Sequence, residues 1–168
     1  MKQILYPSEY LPSAYQIDYG GLYHKGCRGL IFDIDNTLVP HGAPADDRAI
    51  ALFARLKELG LDSVLLSNNK EPRVKAFADK VGARYLFKAG KPKPSAFRRA
   101  MELMHTDADS TVFIGDQIFT DVAGANLAGI YSILVEPMHP KEEIQIVLKR
   151  YLEKIVLFFY RKSKKIDK

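Results

Sequence analysis

From Arg28 onward the chain alternates short apolar runs with longer stretches whose apolar positions recur every three or four residues. Gly29-Leu-Ile-Phe32 reads as a buried strand that delivers Asp33 at its C-terminal end. Pro44 opens a helical stretch in which Ile50, Phe53, Leu56 and Leu59 fall in step, and Gly60 stops it. Val64-Leu65-Leu66 is the second strand, ending at Ser67-Asn68-Asn69. Pro72 starts a helix carrying Val74, Phe77, Ala78 and Val81, with Gly82 as its C-cap. Tyr85-Leu86-Phe87 follows as a short strand. A helix from Pro94 (Phe97, Ala100, Met101, Met104) precedes the strand Thr111–Ile114, which runs into Gly115-Asp116. A short helix at Val122–Leu127 and a last strand at Tyr131–Val135 complete the series.

Continuous apolar strands alternating with helices predict a parallel sheet covered on both faces, a Rossmann-like three-layer α/β/α domain. Such sheets bind ligands at the C-terminal ends of their strands. The polar clusters Asp33/Asp35, Ser67/Asn68, Lys91 and Asp116/Asp121 all fall there. Residues 1–26 differ: Tyr6, Tyr10, Tyr15, Tyr19 and Tyr23 are interspersed with Pro7 and Pro12. These tyrosines either face a membrane surface or, as aromatic area favours, pack the segment against the domain edge.

Composition narrows the class without choosing the chemistry. At 168 residues, 47% hydrophobic and 27% charged, the chain reads as one globular domain over 1–168 rather than a disordered or fibrous one. No apolar run approaches the roughly 18 residues that cross a bilayer, and the N-terminus has no signal-peptide pattern. Cys27 is the only cysteine, which excludes an internal disulfide and fits a cytoplasmic setting. The net charge of +5 is local: residues 1–140 balance 16 Lys/Arg against 16 Asp/Glu, whereas 141–168 carry 9 against 4. Only the tail offers a field to an anionic partner.

The chemistry begins at Asp33-Ile34-Asp35-Asn36-Thr37-Leu38, directly after an apolar strand. Two carboxylates two residues apart reach one site once the chain turns, although an Asp after a strand also serves as a turn or cap residue. With Leu66-Ser67-Asn68-Asn69, Gly90-Lys91-Pro92-Lys93-Pro94 and Gly115-Asp116-Gln117-Ile118-Phe119-Thr120-Asp121, the chain resembles the haloacid dehalogenase (HAD) superfamily of phosphotransferases, whose four motifs it carries in order within residues 29–121.

That resemblance implies phosphomonoester hydrolysis in two displacements, which lowers the barrier of a very slow reaction. Asp33 matches the nucleophile that becomes an aspartyl-phosphate, and Asp35 the acid/base that protonates the leaving alkoxide and then activates water. Two anions and a phosphate dianion require a divalent cation, and Mg²⁺, hard and oxygen-loving, is the expected one. By the resemblance it is held by the Asp33 carboxylate, the Asp35 backbone carbonyl and the Asp116 carboxylate, with Asp121 in support. Lys91 and Ser67, with Asn68, are expected on the phosphoryl oxygens. Lys93 reads as a surface charge, Gly115 as a tight-turn residue, and His24, His41, His105 and His139 as structural or exposed.

Asp33 and Ser67 lie 34 residues apart and Ser67 and Lys91 lie 24 apart, gaps already filled by the elements above, so no cap domain is expected over the site. An open site suits a large substrate: a lipid head group, a nucleic-acid end or a phosphoprotein. In the tail, Val147, Leu148, Tyr151, Leu152, Ile155, Phe158 and Phe159 repeat at helical spacing beside Lys149, Arg150, Lys154, Arg161, Lys162, Lys164 and Lys165. This basic amphipathic helix reads equally as a contact with an anionic membrane on its inner face or as a stripe packed on the domain. The whole chain is similar to the small YqeG-type branch of HAD subfamily IIIA, whose relatives include a phosphatidylglycerophosphate phosphatase. That substrate leads, with nucleic-acid ends or phosphoproteins as the alternative. A receiver-like phosphoacceptor is the non-catalytic rival, and Asp35 argues against it.

Overall fold

The structure, a computed structural model, describes residues 4–138 and 144–166. In chain order its elements are β1 (Glu9–Leu11), α1 (Tyr19–His24), β2 (Gly29–Phe32), α2 (Asp47–Glu58), β3 (Asp62–Leu66), α3 (Glu71–Val81), β4 (Arg84–Leu86), α4 (Pro94–Met104), β5 (Thr111–Gly115), α5 (Ala123–Leu127), β6 (Tyr131–Val135) and α6 (Ile144–Ile166). A 3-10 turn lies at Ala14–Gln16 and a π turn at Ile118–Val122. The six strands are all parallel, in the order β1-β6-β5-β2-β3-β4.

Both faces of the sheet are buried, which is why its central strands are apolar without alternation. Leu30 and Phe32 of β2, Leu65 of β3, and Val112 and Ile114 of β5 pack on one side against Leu52, Phe53 and Leu56 of α2 and Val74 and Phe77 of α3. Ile31, Val64, Leu66 and Phe113 face the other, against Phe97, Ala100 and Met101 of α4 and Ala125 of α5. The α/β/α expectation therefore holds, with helices on both sides. Two boundaries behave as the caps predict: Pro94 opens α4, and Gly82, at φ 69°, ends α3. The second helix starts later than Pro44 suggested. The Asp46 side chain accepts from Ala49 N–H at 2.9 Å, so the capping carboxylate sets the start at Asp47.

The tyrosine-rich segment packs on the domain edge. It contributes a strand that periodicity did not reveal: β1 is three half-buried residues paired with β6 through Glu9↔Ile133 and Leu11↔Val135. Tyr19 is buried and donates its hydroxyl to Ala14 O at 2.7 Å. Tyr15 donates to Leu38 O at 2.6 Å, tying this segment to the loop that follows Asp33.

The reading of the tail stripe as packed on the domain is corrected. The stripe faces away from the core: Leu148 is 70% exposed and Phe158 64%. Arg150, Glu153, Val156, Leu157 and Tyr160 face inward instead. The loop after β5 presents a backbone carbonyl at Asp116 and an N–H at Ile118, and α6 turns its ion pair toward them. Buried polar groups need partners more than apolar ones need cover. Among the described residues no helix is long and apolar enough to cross a membrane. His139 and the charged residues 141–143, 167 and 168 lie outside the described residues.

Candidate active site

Each strand-end motif arrives where the sheet carries it. Asp33 extends β2, with its N–H bonded to Ile114 O at 2.9 Å. The chain then turns tightly: Thr37 and Leu38 N–H both return to Ile34 O. Ser67 extends β3, its N–H on Leu86 O at 3.0 Å. The result is a cleft of about 240 Å³ lined by Asp33, Asp35, Ser67, Asn68, Lys91 and Thr120, among others. α2 and β3 occupy the chain between Asp33 and Ser67, and α3 and β4 the chain between Ser67 and Lys91. Among the described residues no separate domain stands over the cleft.

Lys91 is the centre of the charge arrangement. Its Nζ donates to Asp33 Oδ1 and to Asp121 Oδ1, both at 2.7 Å, and its side chain is nearly inaccessible. Burial by itself would lower the ammonium, but the Asp121 and Asp33 carboxylates outweigh it and hold Lys91 protonated, above its ordinary range. The lysine's backbone is fixed by Asn68, whose Oδ1 accepts from Lys91 N at 2.8 Å and whose Nδ2 donates to Lys91 O at 3.3 Å. The Asn68 amide, expected on phosphoryl oxygens, is thus engaged with the lysine loop. Ser67 Oγ accepts from Asn69 N–H at 3.1 Å, which leaves the hydroxyl hydrogen for another acceptor in the cleft.

Asp33, Asp116 and Asp121 place carboxylate oxygens within 4.8 Å of one another, all buried. Asp121, expected in support, stands inside this cluster. Its Oδ2 accepts from Asp116 N–H and Gln117 N–H, both at 3.1 Å, so it shapes the loop as well as pairing with Lys91. Gly115 is required here because a Cβ would collide with Asp121 Oδ2 and lie 2.7 Å from Asp121 Cγ. Burial pushes Asp33 up to about 6 against the lowering pull of Lys91. Burial also raises Asp116, and the Asp33 and Asp121 charges add to it while Arg150 opposes them. Counting Glu153, four carboxylates face two cations, Lys91 and Arg150. The excess of two negative charges and the all-oxygen donor set fit one hard divalent cation.

Asp35 is held apart from this cluster. Its Oδ1 accepts from Gly42 N–H at 2.7 Å and Arg73 Nη2 at 2.9 Å, and its Oδ2 from Asn69 Nδ2 at 2.7 Å. The two carboxylates of the Asp33/Asp35 pair share one cleft with different partners.

Several of these partners were not singled out from the sequence. Thr37 donates to Asp116 Oδ1 at 3.1 Å; its place between the paired aspartates and the turn is the only signal that points to it. Arg73 carried no signal beyond lying near Ser67, and Asn69 stood in the second motif without a role of its own. Arg150 was read as a flank of the tail, yet it donates to Asp116 O at 2.6 Å, to Glu153 Oε2 at 2.9 Å and to Asp116 Oδ2. Glu153 completes the bridge by accepting from Ile118 N–H at 2.8 Å. His41 borders the cleft and is exposed, as read.

Comparison with known proteins agrees with this geometry. The HAD-hydrolase-like family model matches residues 88–138. The chain is 36% identical to the Probable phosphatase YqeG of Bacillus subtilis (strain 168), over 94% of this chain and 92% of that one. It is 27% identical to Phosphatidylglycerophosphate phosphatase 1, chloroplastic/mitochondrial, of Arabidopsis thaliana over 91% of this chain, spanning 50% of that protein's length. Among solved structures, the cobalt-bound deoxy-D-mannose-octulosonate 8-phosphate phosphatase (YrbI) of Haemophilus influenzae shares the fold, with a TM-score of 0.54 and 16% identity over 86% of this chain and 95% of that one. With its motifs gathered at one sheet edge and its likeness to YqeG running through nearly all of both chains, this chain belongs to the HAD superfamily, in its YqeG-type branch, and is a phosphomonoester phosphatase.

Proposed function

We propose that the phosphatase is Mg²⁺-dependent, works through an aspartyl-phosphate on Asp33, and dephosphorylates phosphatidylglycerophosphate to phosphatidylglycerol. An Asp33 oxygen forms the new bond to phosphorus while the bond to the leaving alkoxide breaks. Asp35 gives that alkoxide its proton, then takes one from the water that attacks the phosphoenzyme and releases inorganic phosphate. Lys91 and Ser67 hold the phosphoryl oxygens, and Asn68 acts through the lysine's backbone. When bound by the Asp33 and Asp116 carboxylates and the Asp35 carbonyl, Mg²⁺ supplies the positive charge that lets a dianion approach these carboxylates. Asp121 orients Lys91 and the loop of Asp116.

The observation that carries this reading is the Lys91 ammonium set 2.7 Å from both Asp33 and Asp121, with Asp35 on separate partners in the same cleft. A phosphoacceptor that only stores the group needs no such second carboxylate. The lipid substrate is supported by the name of the Arabidopsis relative, by a cleft that no domain covers among the described residues, and by the exposed apolar and basic face of α6, suited to peripheral contact with the inner face of an anionic membrane. The chain of 168 residues acts as one catalytic unit.

The test is phosphate release by purified protein from phosphatidylglycerophosphate vesicles, compared with nucleotides, sugar phosphates, phosphopeptides and 5′-phosphorylated RNA. Preference for the vesicles, loss with EDTA and loss in Asp33→Asn are expected. Full turnover by Asp33→Asn removes the mechanism, and preference for a soluble compound or for RNA removes the lipid.

A further inference from the structure

The geometry points to a second binding surface beside the phosphate cleft, one that takes the glycerol and first acyl carbons of an anionic phospholipid. This deepens the proposed function and rests on its lipid substrate. A groove of about 440 Å³ lies between α6 and the C-terminal ends of β1 and β6. Ile118, Leu134, Leu157 and Phe158 give it apolar walls. Asp116 also lines it, and the same residue belongs to the carboxylate cluster, where Thr37 holds its Oδ1. Asp116 and Ile118 line the groove while Gln117 and Thr120 line the phosphate cleft, so a single loop separates the two.

The lining chemistry selects the occupant. Arg150 is committed to Asp116 and Glu153, which it bridges. Lys154 and Arg161 add positive charge to the groove, each over a tyrosine ring: Lys154 Nζ is 5.1 Å from the centroid of Tyr151, and Arg161 Cζ is 5.8 Å from that of Tyr10. An anion with an apolar body matches such a surface, whereas a sugar or nucleoside would leave its hydroxyls against carbon. Phe158 settles the direction of approach, because it lines the groove and is also 64% exposed on the ridge formed by Leu148, Tyr151, Leu152 and Ile155. Apolar contact is thus continuous from the helix surface into the groove. A bilayer seated on the ridge would present its lipids at the groove's edge, with the phosphomonoester reaching the cleft across the loop of Gln117 and Thr120.

The experiment uses monomeric substrates, so that groove binding is separated from docking of the whole helix. Turnover of a short-chain phosphatidylglycerophosphate below its micelle concentration is compared with turnover of its fully deacylated counterpart and of p-nitrophenyl phosphate. For the natural protein, kcat/KM for the acylated compound should exceed that for the deacylated one by tenfold or more. In Phe158→Asp, an exposed position whose change spares the core, that ratio should collapse toward one, with the loss in KM. An acylated-to-deacylated ratio near one in the natural protein, or a ratio left intact by Phe158→Asp, overturns the groove while the phosphatase reading stands. Hydrolysis of p-nitrophenyl phosphate with neither glycerophosphate compound turned over overturns the lipid substrate and the groove with it.

Discussion

Arg150 gives the sharpest test of how α6 and the catalytic loop depend on each other. Its side chain is 15% exposed, and its guanidinium lies between an Asp116 side chain with no exposure and a Glu153 side chain with 7%. Arg150→Met keeps the stem and removes the charge, stranding two buried carboxylates, one of them already crowded by Asp33 and Asp121. Removing one partner of a buried ion pair costs about 3–5 kcal/mol, a large share of the roughly 5–15 kcal/mol that holds a domain folded. At about 2–4 °C per kcal/mol for a chain of this size, the melting temperature in EDTA should fall by roughly 6–20 °C. Adding Glu153→Gln removes one stranded charge, so the double variant should melt above Arg150→Met, with a coupling of about 1–2 kcal/mol. Saturating Mg²⁺ should narrow the gap between Arg150→Met and the natural protein, because a divalent cation compensates Asp116. Thermal denaturation of the four proteins of this cycle, with EDTA and with Mg²⁺, measures all three effects. A fall of less than about 2 °C in EDTA, or strictly additive changes, would refute the claim that α6 is electrostatically joined to Asp116.

Two further expectations follow from the same cluster. Burial raises Asp33 from the ordinary 3.8 to about 6, so the folded state binds a proton that the unfolded state releases; this group's contribution to stability is present below about pH 4 and is lost as pH rises through 6. In the proposed mechanism metal and proton compete for that carboxylate, so kcat/KM at limiting Mg²⁺ should show an acid limb near pH 6 that moves lower as Mg²⁺ is raised, and a limb indifferent to metal concentration rules this out. Gly115→Ala should cost about 1–3 kcal/mol by overpacking and reduce turnover at least tenfold, since its Cβ displaces the Asp121 carboxylate that holds Lys91 and two loop N–H groups; unchanged activity in a stably folded variant contradicts the assignment of Asp121.

Much of the architecture was legible because its causes are local. Apolar runs buried on both faces, prolines that open α4 and lie in the first turn of α3, and a glycine at Gly82 act within a few residues of themselves, and they give β2, β3, β5 and β6 and the helices between them. The strand ends carried Asp33, Ser67, Lys91 and Asp116 in order, and a parallel sheet must bring such ends to one edge. β1 escaped because three half-buried residues have no period; only the open edge of β6 makes them a strand. Asp46 prevailed over Pro44 because a carboxylate that satisfies a helix N–H stabilises a start more than a preset φ does.

What tertiary structure alone decided is the direction of each charge. Nothing in the residues around Asn68 says that its amide will clamp the backbone of Lys91, or that Asp121 will face both that lysine and its own loop. The sequence determines that α6 is amphipathic and basic; it does not determine which side meets the domain. That choice is made by a carbonyl at Asp116 and an N–H at Ile118, which call Arg150 and Glu153 inward and leave the apolar ridge outside. Periodicity records where carbon lies along a helix, whereas the orientation of a helix on a domain is set by which buried polar groups still need a partner.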